Sequence, residues 1–399
     1  MISECLRGPQ ENRRKMIIWI YIDNKTIGES MKKKGALTDV NIQRLLSQGN
    51  IICGEPACIN PASVDLRTTE EIYRIDAWIL PNHGQKISDM MRAVNPVQVS
   101  INGVLERGAK YLVRTKERCA LPKEVYGYCN AKSSIGRLGV DARVIVDGVN
   151  RYDSIPRGYE GDAWIMLSPR HIPIRMDEGS RLVQLRLFNG DTRFTEKLVC
   201  RALNSVPGGL IYRKDGTPIR YEDIKSSDFD GSVILGINLE EEISGWECLD
   251  NNRPLDIEKR GYNPTDFFRP IYESPEGVFL SKKRFYIFMT KEQVSVPPHL
   301  ACEMRPIDER AGSFQVHKAG YIDPGYGYGQ NGQGRGRPIV LEVTPYDDML
   351  VQNEQAIAKI CFEQTCQRSK KHYDHPDRNS HYTDSTPFPR LAKQFDLWK

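Results

Sequence analysis

The segment Tyr111-Leu-Val-Arg-Thr-Lys-Glu-Arg-Cys-Ala-Leu-Pro122 returns 175 residues later as Tyr286-Ile-Phe-Met-Thr-Lys-Glu-Gln-Val-Ser-Val-Pro297. Two copies of one stretch imply two copies of one folding unit, so the repeat fixes the organisation before any other signal is read. Both copies run on through a short apolar stretch to an Arg-x-Gly, at Arg137-Leu-Gly139 and Arg310-Ala-Gly312. They then reach Leu182-Val-Gln-Leu-Arg-Leu187 and Ile357-Ala-Lys-Ile-Cys-Phe362. A chain of 399 residues has room for two such domains, each with its own core.

Within each copy, short β-branched and aromatic runs alternate with Gly, Pro, Asn and Asp. Arg143 to Val149, Ala163 to Leu167, Gly231 to Leu239 and Pro338 to Val343 are examples. This pattern predicts the strands and turns of a barrel or sandwich, with few helices. The clearest helix is Thr38 to Gly49, with Thr38 as N-cap, Val40, Ile42, Leu45 and Leu46 as the apolar face, and Gly49 as the stop. The boundaries read as an extension over residues 1–30, a first barrel over 31–200, a second over 201–366 and a terminal arm over 367–399. Gly190 to Asp230 holds the linker. The polar stretch after Cys366 reads as a mobile arm, with His372, His375 and His381 in solvent.

Composition narrows the function classes. Net charge is +4, from 56 basic and 52 acidic residues, which does not favour a nucleic-acid partner. Charged residues are 27 % of the chain and mean hydropathy is −0.51. No apolar run approaches the roughly 18 residues of a membrane span. Met16 to Ile22 follows Arg13, Arg14 and Lys15 but is too short for a signal core. The ten cysteines then read as reduced thiols of a cytoplasmic protein. The pairs Cys53/Cys58 and Cys361/Cys366 lack the spacing and histidine partners of common zinc sites.

The stretch Ala131-Lys-Ser-Ser-Ile-Gly-Arg-Leu-Gly-Val140 resembles the Ser-Ser-x-x-Arg-Leu-Gly signature of the dCTP deaminases, zinc-independent members of the dUTPase-like β-barrel superfamily. Ile59-Asn-Pro-Ala-Ser-Val-Asp-Leu-Arg67 is similar to that family's Pro-Ala-Ser-x-Asp-Leu-Arg segment. In the second copy, His317-Lys-Ala-Gly-Tyr-Ile-Asp-Pro-Gly-Tyr326 and Val340-Leu-Glu342 resemble its Asp-Pro-Gly turn and its catalytic strand. Leu391-Ala-Lys-Gln-Phe395 resembles the ending of the two-repeat bacterial members. The resemblance spans roughly residues 35–365 and implies two tandem dUTPase-like barrels of the β-clip type. It further implies dCTP and dUTP as ligands, dTTP as a candidate inhibitor, and magnesium carried by the triphosphate without zinc. A homo-oligomer of barrels in threefold or pseudo-threefold arrangement is also implied.

Neither copy carries a whole site. Copy one reads Ala163-Trp-Ile-Met-Leu-Ser168 where the acid is expected, and Ile155-Pro-Arg-Gly-Tyr159 where the Asp-Pro-Gly turn is expected. Copy two has Pro306 and Ile307 for the serine pair, with Arg310 as the apparent counterpart of Arg137. The expectation is a composite site: Lys132, Ser133, Ser134 and Arg137 from copy one, with Ala319, Asp323, Tyr326 and Glu342 from copy two. Arg310 is carried as a further substrate contact.

Chemistry points the same way. Glu342 lies in the apolar run Ile339-Val-Leu-Glu-Val343, where desolvation would raise its pKa toward the range useful for proton transfer. The blander reading is a glutamate on a strand's solvent face. Lys132 to Arg137 offers two hydroxyls, an ammonium and a guanidinium, a set suited to a triphosphate and to steadying a carboxylate. A polar surface turn is the plain alternative. Tyr326 suits a base or a ribose, but equally core packing. The glycine-rich run from Gly325 to Gly336 lacks the Gly-Lys-Ser/Thr ending of a phosphate loop and reads as a hairpin tip. Zinc deaminase chemistry is disfavoured, since no His-x-Glu with Pro-Cys-x-x-Cys occurs. The expectation is a dCTP deaminase forming dUTP. The rivals are a dUTP pyrophosphatase, a bifunctional enzyme and a silent nucleotide binder.

Overall fold

The two Thr-Lys-Glu stretches build the same device in each half. They lie on the strands Lys110–Ala120 and Tyr286–Val294 of a computed structural model that describes residues 33–205, 209–224, 227–249, 251–274, 276–316, 320–377 and 388–396. At each stretch the pairing with the next strand slips, between Arg114 and Arg118 and between Met289 and Gln293. The threonine closes the bulge: Thr115 Oγ1 donates to the Glu117 carbonyl at 2.9 Å, and Thr290 Oγ1 to the Glu292 carbonyl at 2.7 Å. The glutamate then reaches across. Glu117 accepts from the Arg67 N–H at 2.7 Å and Glu292 from the Gly236 N–H at 2.9 Å. A bulge bends its strand and sharpens its twist, which curls a long sheet toward a barrel.

The protein is mainly β, as the turn-punctuated runs predict. In the first half the strand order is Val140–Val146, Glu160–Pro169, Lys110–Ala120, Ser63–Ile75, Arg181–Phe188, Tyr126–Ala131 and Ser154–Ile155. The second half repeats that order in two sheets, because the counterpart of Ser63–Ile75 is broken into Ser232–Gly236 and Ile243–Cys248. Register repeats as well. Asn130 faces Gln184 and Arg305 faces Lys359, both at an offset of 175. The helix Asp39–Ser47 forms behind Thr38, and Gly49 ends it at φ 74°. Ile42 and Leu45 are buried, but Val40 is 44 % exposed and does not belong to the apolar face.

Two expectations about connections are corrected. The stretch read as a linker contains the helix Glu196–Ser205, whose Val199, Ala202 and Leu203 pack into the second core. Much of the stretch read as a mobile arm is packed rather than free in solvent. His372, Asp374, Leu391, Ala392, Gln394 and Phe395 are all buried, because the arm finds apolar and hydrogen-bonding partners on both barrels. Residues 1–30, His317 and His381 lie outside the described residues.

The halves are joined by the parallel pair Ile174–Arg175 with Leu255–Asp256 and along a seam at the entering chain. Ala36 N–H donates to the Gln364 carbonyl and Leu37 N–H to the Leu187 carbonyl, both at 2.8 Å, so the entering chain bridges the two sheets. Beneath it the buried Arg186 pairs with the buried Glu363, and its guanidinium lies 4.0 Å from the Tyr321 ring centre. The first core runs on into Trp246, Phe267, Phe285, Leu391 and Phe395. Among the described residues no helix is long and apolar enough to cross a membrane.

Candidate active site

Ser133–Gly136 is a single helical turn. The Ile135 and Gly136 N–H groups close on the Lys132 carbonyl at 2.9 and 3.0 Å, and buried Ile135 and Leu138 anchor the turn to the first core. Gly139, at φ 67°, turns the chain back into the Val140–Val146 strand. This geometry presents Lys132, Ser133, Ser134 and Arg137 along one rim of a cleft of 1590 Å³ between the barrels. Lys132 pairs with Asp65, a buried carboxylate that also accepts from Asn60 Nδ2 at 2.8 Å. Arg137 is 9 % exposed and donates from Nη1 to the Arg390 carbonyl at 2.9 Å.

The opposite wall comes from the second half. On the strand Arg337–Pro345, Leu341 and Val343 point into the second core. The alternation of a strand therefore turns Val340 and Glu342 toward the first half. Glu342 is 4 % exposed. A Cβ added to Gly136 would overlap both oxygens of its carboxylate, so the acid of copy two touches the Ser-Ser-Ile-Gly-Arg turn of copy one within a single chain. Asp323 and Tyr326 line the same cleft on the Asp-Pro-Gly-Tyr turn, where Gly325 takes φ 91°. The Tyr326 hydroxyl donates to the Pro338 carbonyl at 2.7 Å, and burial pushes its pKa up.

Most of the expected residues thus converge, with two exceptions. Arg310 does not reach the cleft: its side chain is 76 % exposed and pairs at 2.6 Å with Asp308 and Asp228. Strand register explains the error. Asn130 and Arg305 hold the same place, an offset of 175, whereas setting Arg310 on Arg137, and Pro306 and Ile307 on the serines, needs an offset of 173. Ala319 lies outside the described residues.

Copy one's counterpart of Glu342 is Met166. Leu112 faces Met166 as Ile287 faces Glu342. Met166 is fully buried under Ile79, Ile87 and Val94, so that position is filled with core.

The terminal arm supplies cleft residues that composition concealed. Arg390 and Lys393 line the cleft beside Lys132, and burial lowers the Lys393 pKa with the charges of Lys132 and Arg260 adding to it. The Leu391 to Phe395 ending was the one signal for them. Polarity alone argued for solvent.

Comparisons with known proteins match this architecture. Residues 33–191 match the "2'-deoxycytidine 5'-triphosphate deaminase (DCD) N-terminal domain" and residues 212–395 its C-terminal domain. The dCTP deaminase of Haloarcula marismortui is 31 % identical over 159 residues, covering 37 % of this chain and 77 % of that protein. The chain belongs to the dCTP deaminase family. The crystal structure of 2'-deoxycytidine 5'-triphosphate deaminase from Agrobacterium tumefaciens superposes with a TM-score of 0.74 at 29 % identity. That match covers 85 % of this chain and all of that one. The "dCTP deaminase, dUMP-forming" of Kocuria rhizophila is 29 % identical over 38 % of this chain and 78 % of its own length. Membership identifies the chain as an enzyme that deaminates dCTP, and leaves the product and the residues that do the work to be argued from the cleft.

Proposed function

We propose that the chain hydrolyses dCTP to dUTP and ammonia in the cleft between its barrels, with Glu342 as the proton carrier. The observation that carries this reading is the contact of the buried Glu342 carboxylate with the Lys132 to Arg137 turn at Gly136. Exchange of the C4 amino group for oxygen needs a deprotonated water, a proton on N3 and a proton on the departing amine. One carboxylate beside the ring can serve all three steps. Glu342 takes a proton from water and passes it to N3 as the water oxygen bonds to C4. The proton of the resulting C4 hydroxyl then passes through Glu342 to the amino group, which leaves as ammonia.

Ser133, Ser134 and Arg137 would orient the water and the phosphates, and Lys132, Arg390 and Lys393 would face the triphosphate. Asp323, Ala319 and Tyr326 would contact base and sugar. Magnesium enters with the nucleotide. Phosphate oxygens supply its hard ligands, and the basic rim of Lys132, Arg390 and Lys393 suits the phosphates that carry it. The reading includes a cytoplasmic setting, assembly of chains in threefold or pseudo-threefold fashion and binding of dTTP as an inhibitor.

A bifunctional enzyme is the second reading, because Asp323 lines the cleft and the Kocuria relative is named dUMP-forming. The test is incubation with magnesium and dCTP, with dUTP, dUMP and dCMP separated by chromatography. Wild-type protein is expected to yield dUTP, and Glu342→Gln none while still binding dCTP. Turnover above about a tenth of wild type in Glu342→Gln would remove Glu342 as the proton carrier. Stoichiometric dUMP and pyrophosphate would move the assignment to the bifunctional form.

A further inference from the structure

After its last strand the chain crosses from the first barrel to the site wall of the second. The Lys370 and Lys371 N–H groups donate to the Asp39 carboxylate at 3.0 and 2.8 Å, at the first turn of the Asp39–Ser47 helix. Two residues later the Tyr373 N–H donates to the Pro324 carbonyl at 2.8 Å, directly on the Asp-Pro-Gly turn. A Cβ at Gly325 would strike His372 and the Tyr373 nitrogen, so the turn and the arm are packed backbone to backbone. The Tyr373 ring meets Tyr326 edge-on at 5.4 Å.

Asp374 stands at the centre of this contact. It is 8 % exposed. One carboxylate oxygen accepts from the Gly329 N–H at 2.8 Å and the other from Arg337 Nη1 at 2.8 Å. Gly329 belongs to the glycine-rich hairpin, whose many glycines give it little intrinsic rigidity. Arg337 opens the strand that carries Glu342. The Tyr326 hydroxyl, bonded to the Pro338 carbonyl, ties the same strand to the turn.

We infer that Asp374 is a positioning residue for the deamination site: it pins the glycine-rich hairpin to the Arg337 end of the Glu342 strand and so holds the Asp323 to Tyr326 turn in place. The carboxylate is suited to this because it accepts from a neutral N–H and a guanidinium at once, and charge-assisted bonds are the stronger kind. The inference rests on the function proposed above, and its test keeps the two apart.

The experiment compares wild type, Asp374→Asn and Asp374→Ala in steady-state dCTP kinetics and in hydrogen–deuterium exchange of peptides covering residues 325–336. Asp374→Ala is expected to lower kcat/KM about tenfold or more, because displaced contact groups cost rate steeply. Exchange in the hairpin peptides should rise at the same time. Asp374→Asn, which keeps one acceptor but loses the charge, is expected to fall between. Unchanged kinetics with a loosened hairpin would reduce Asp374 to a structural tie and overturn the inference. Lowered kinetics with unchanged exchange would overturn it as well. If Asp374→Ala does not fold, Asp374→Asn decides on the same two readouts. Absence of dCTP turnover in wild type would instead strike at the function, while the exchange comparison would still read the clamp.

Discussion

Gly136 has no room for a side chain, and its neighbour is the carboxylate proposed to move protons. Gly136→Val should push Glu342 off its position while leaving the helical turn possible, since the backbone there is not left-handed. The expected outcome is a fall in kcat of about a hundredfold, larger than the change in thermal midpoint from overpacking by roughly 1–3 kcal/mol would explain. A variant within twofold of wild-type kcat would show that the carboxylate acts elsewhere. At this scale the place of Glu342 was legible through the resemblance of Val340-Leu-Glu342 to the family's strand, since the apolar run from Ile339 to Val343 alone fits a glutamate on a solvent face as well. The loss of the acid from copy one was legible too, since Ala163 to Ser168 holds no carboxylate, while strand pairing was needed to single out Met166. Arg310 was misplaced because matching Arg-x-Gly to Arg-x-Gly ignores strand register, which alone decides which residues share a position.

The terminal arm illustrates why elements are read less well than residues. Its polar composition predicts solvent, yet Phe395 lies 5.5 and 5.4 Å from the ring centres of Phe267 and Phe268, and Trp246 Nε1 donates to the Pro389 carbonyl at 2.7 Å. Leu391, Ala392 and Phe395, with Phe388 beside them, suffice when a pocket awaits them, and that pocket is assembled from segments more than a hundred residues away in the chain. No local pattern encodes it. The strands and the helix after Thr38 were legible because caps, turn residues and β-branched runs are local signals. Phe395→Ala should cost about 3 kcal/mol, the usual range for an aromatic lost from a buried site. It should also weaken catalysis well below the melting temperature, because Arg137 is held by the Arg390 carbonyl of the same segment. Denaturant melts and kinetics at a low temperature check the two parts. A wild-type midpoint would mean that the ending is a passive cover.

At the scale of the molecule, the division of the site between repeats follows from the loss of half of each. Copy one buries Met166 at the acid's position under Ile79, Ile87 and Val94, and copy two has no Ser-Ser-x-x-Arg turn after its matching strand, reading Pro306-Ile-Asp-Glu-Arg-Ala-Gly312 instead. Only the pairing of copy one's turn with copy two's strand remains, and it forms within one chain at Gly136 and Glu342. That makes a prediction no single substitution can test. Arg137→Ala and Glu342→Gln chains, each inactive alone, should stay inactive when mixed, even after partial unfolding and refolding together. Were the working site built between chains, random assembly would restore about a quarter of the sites, each with an intact turn from one chain and an intact acid from the other. Recovery of activity near that level would place the site between subunits. Its absence, with both variants folded and co-assembled by light scattering, is what a site shared by two barrels of one polypeptide requires.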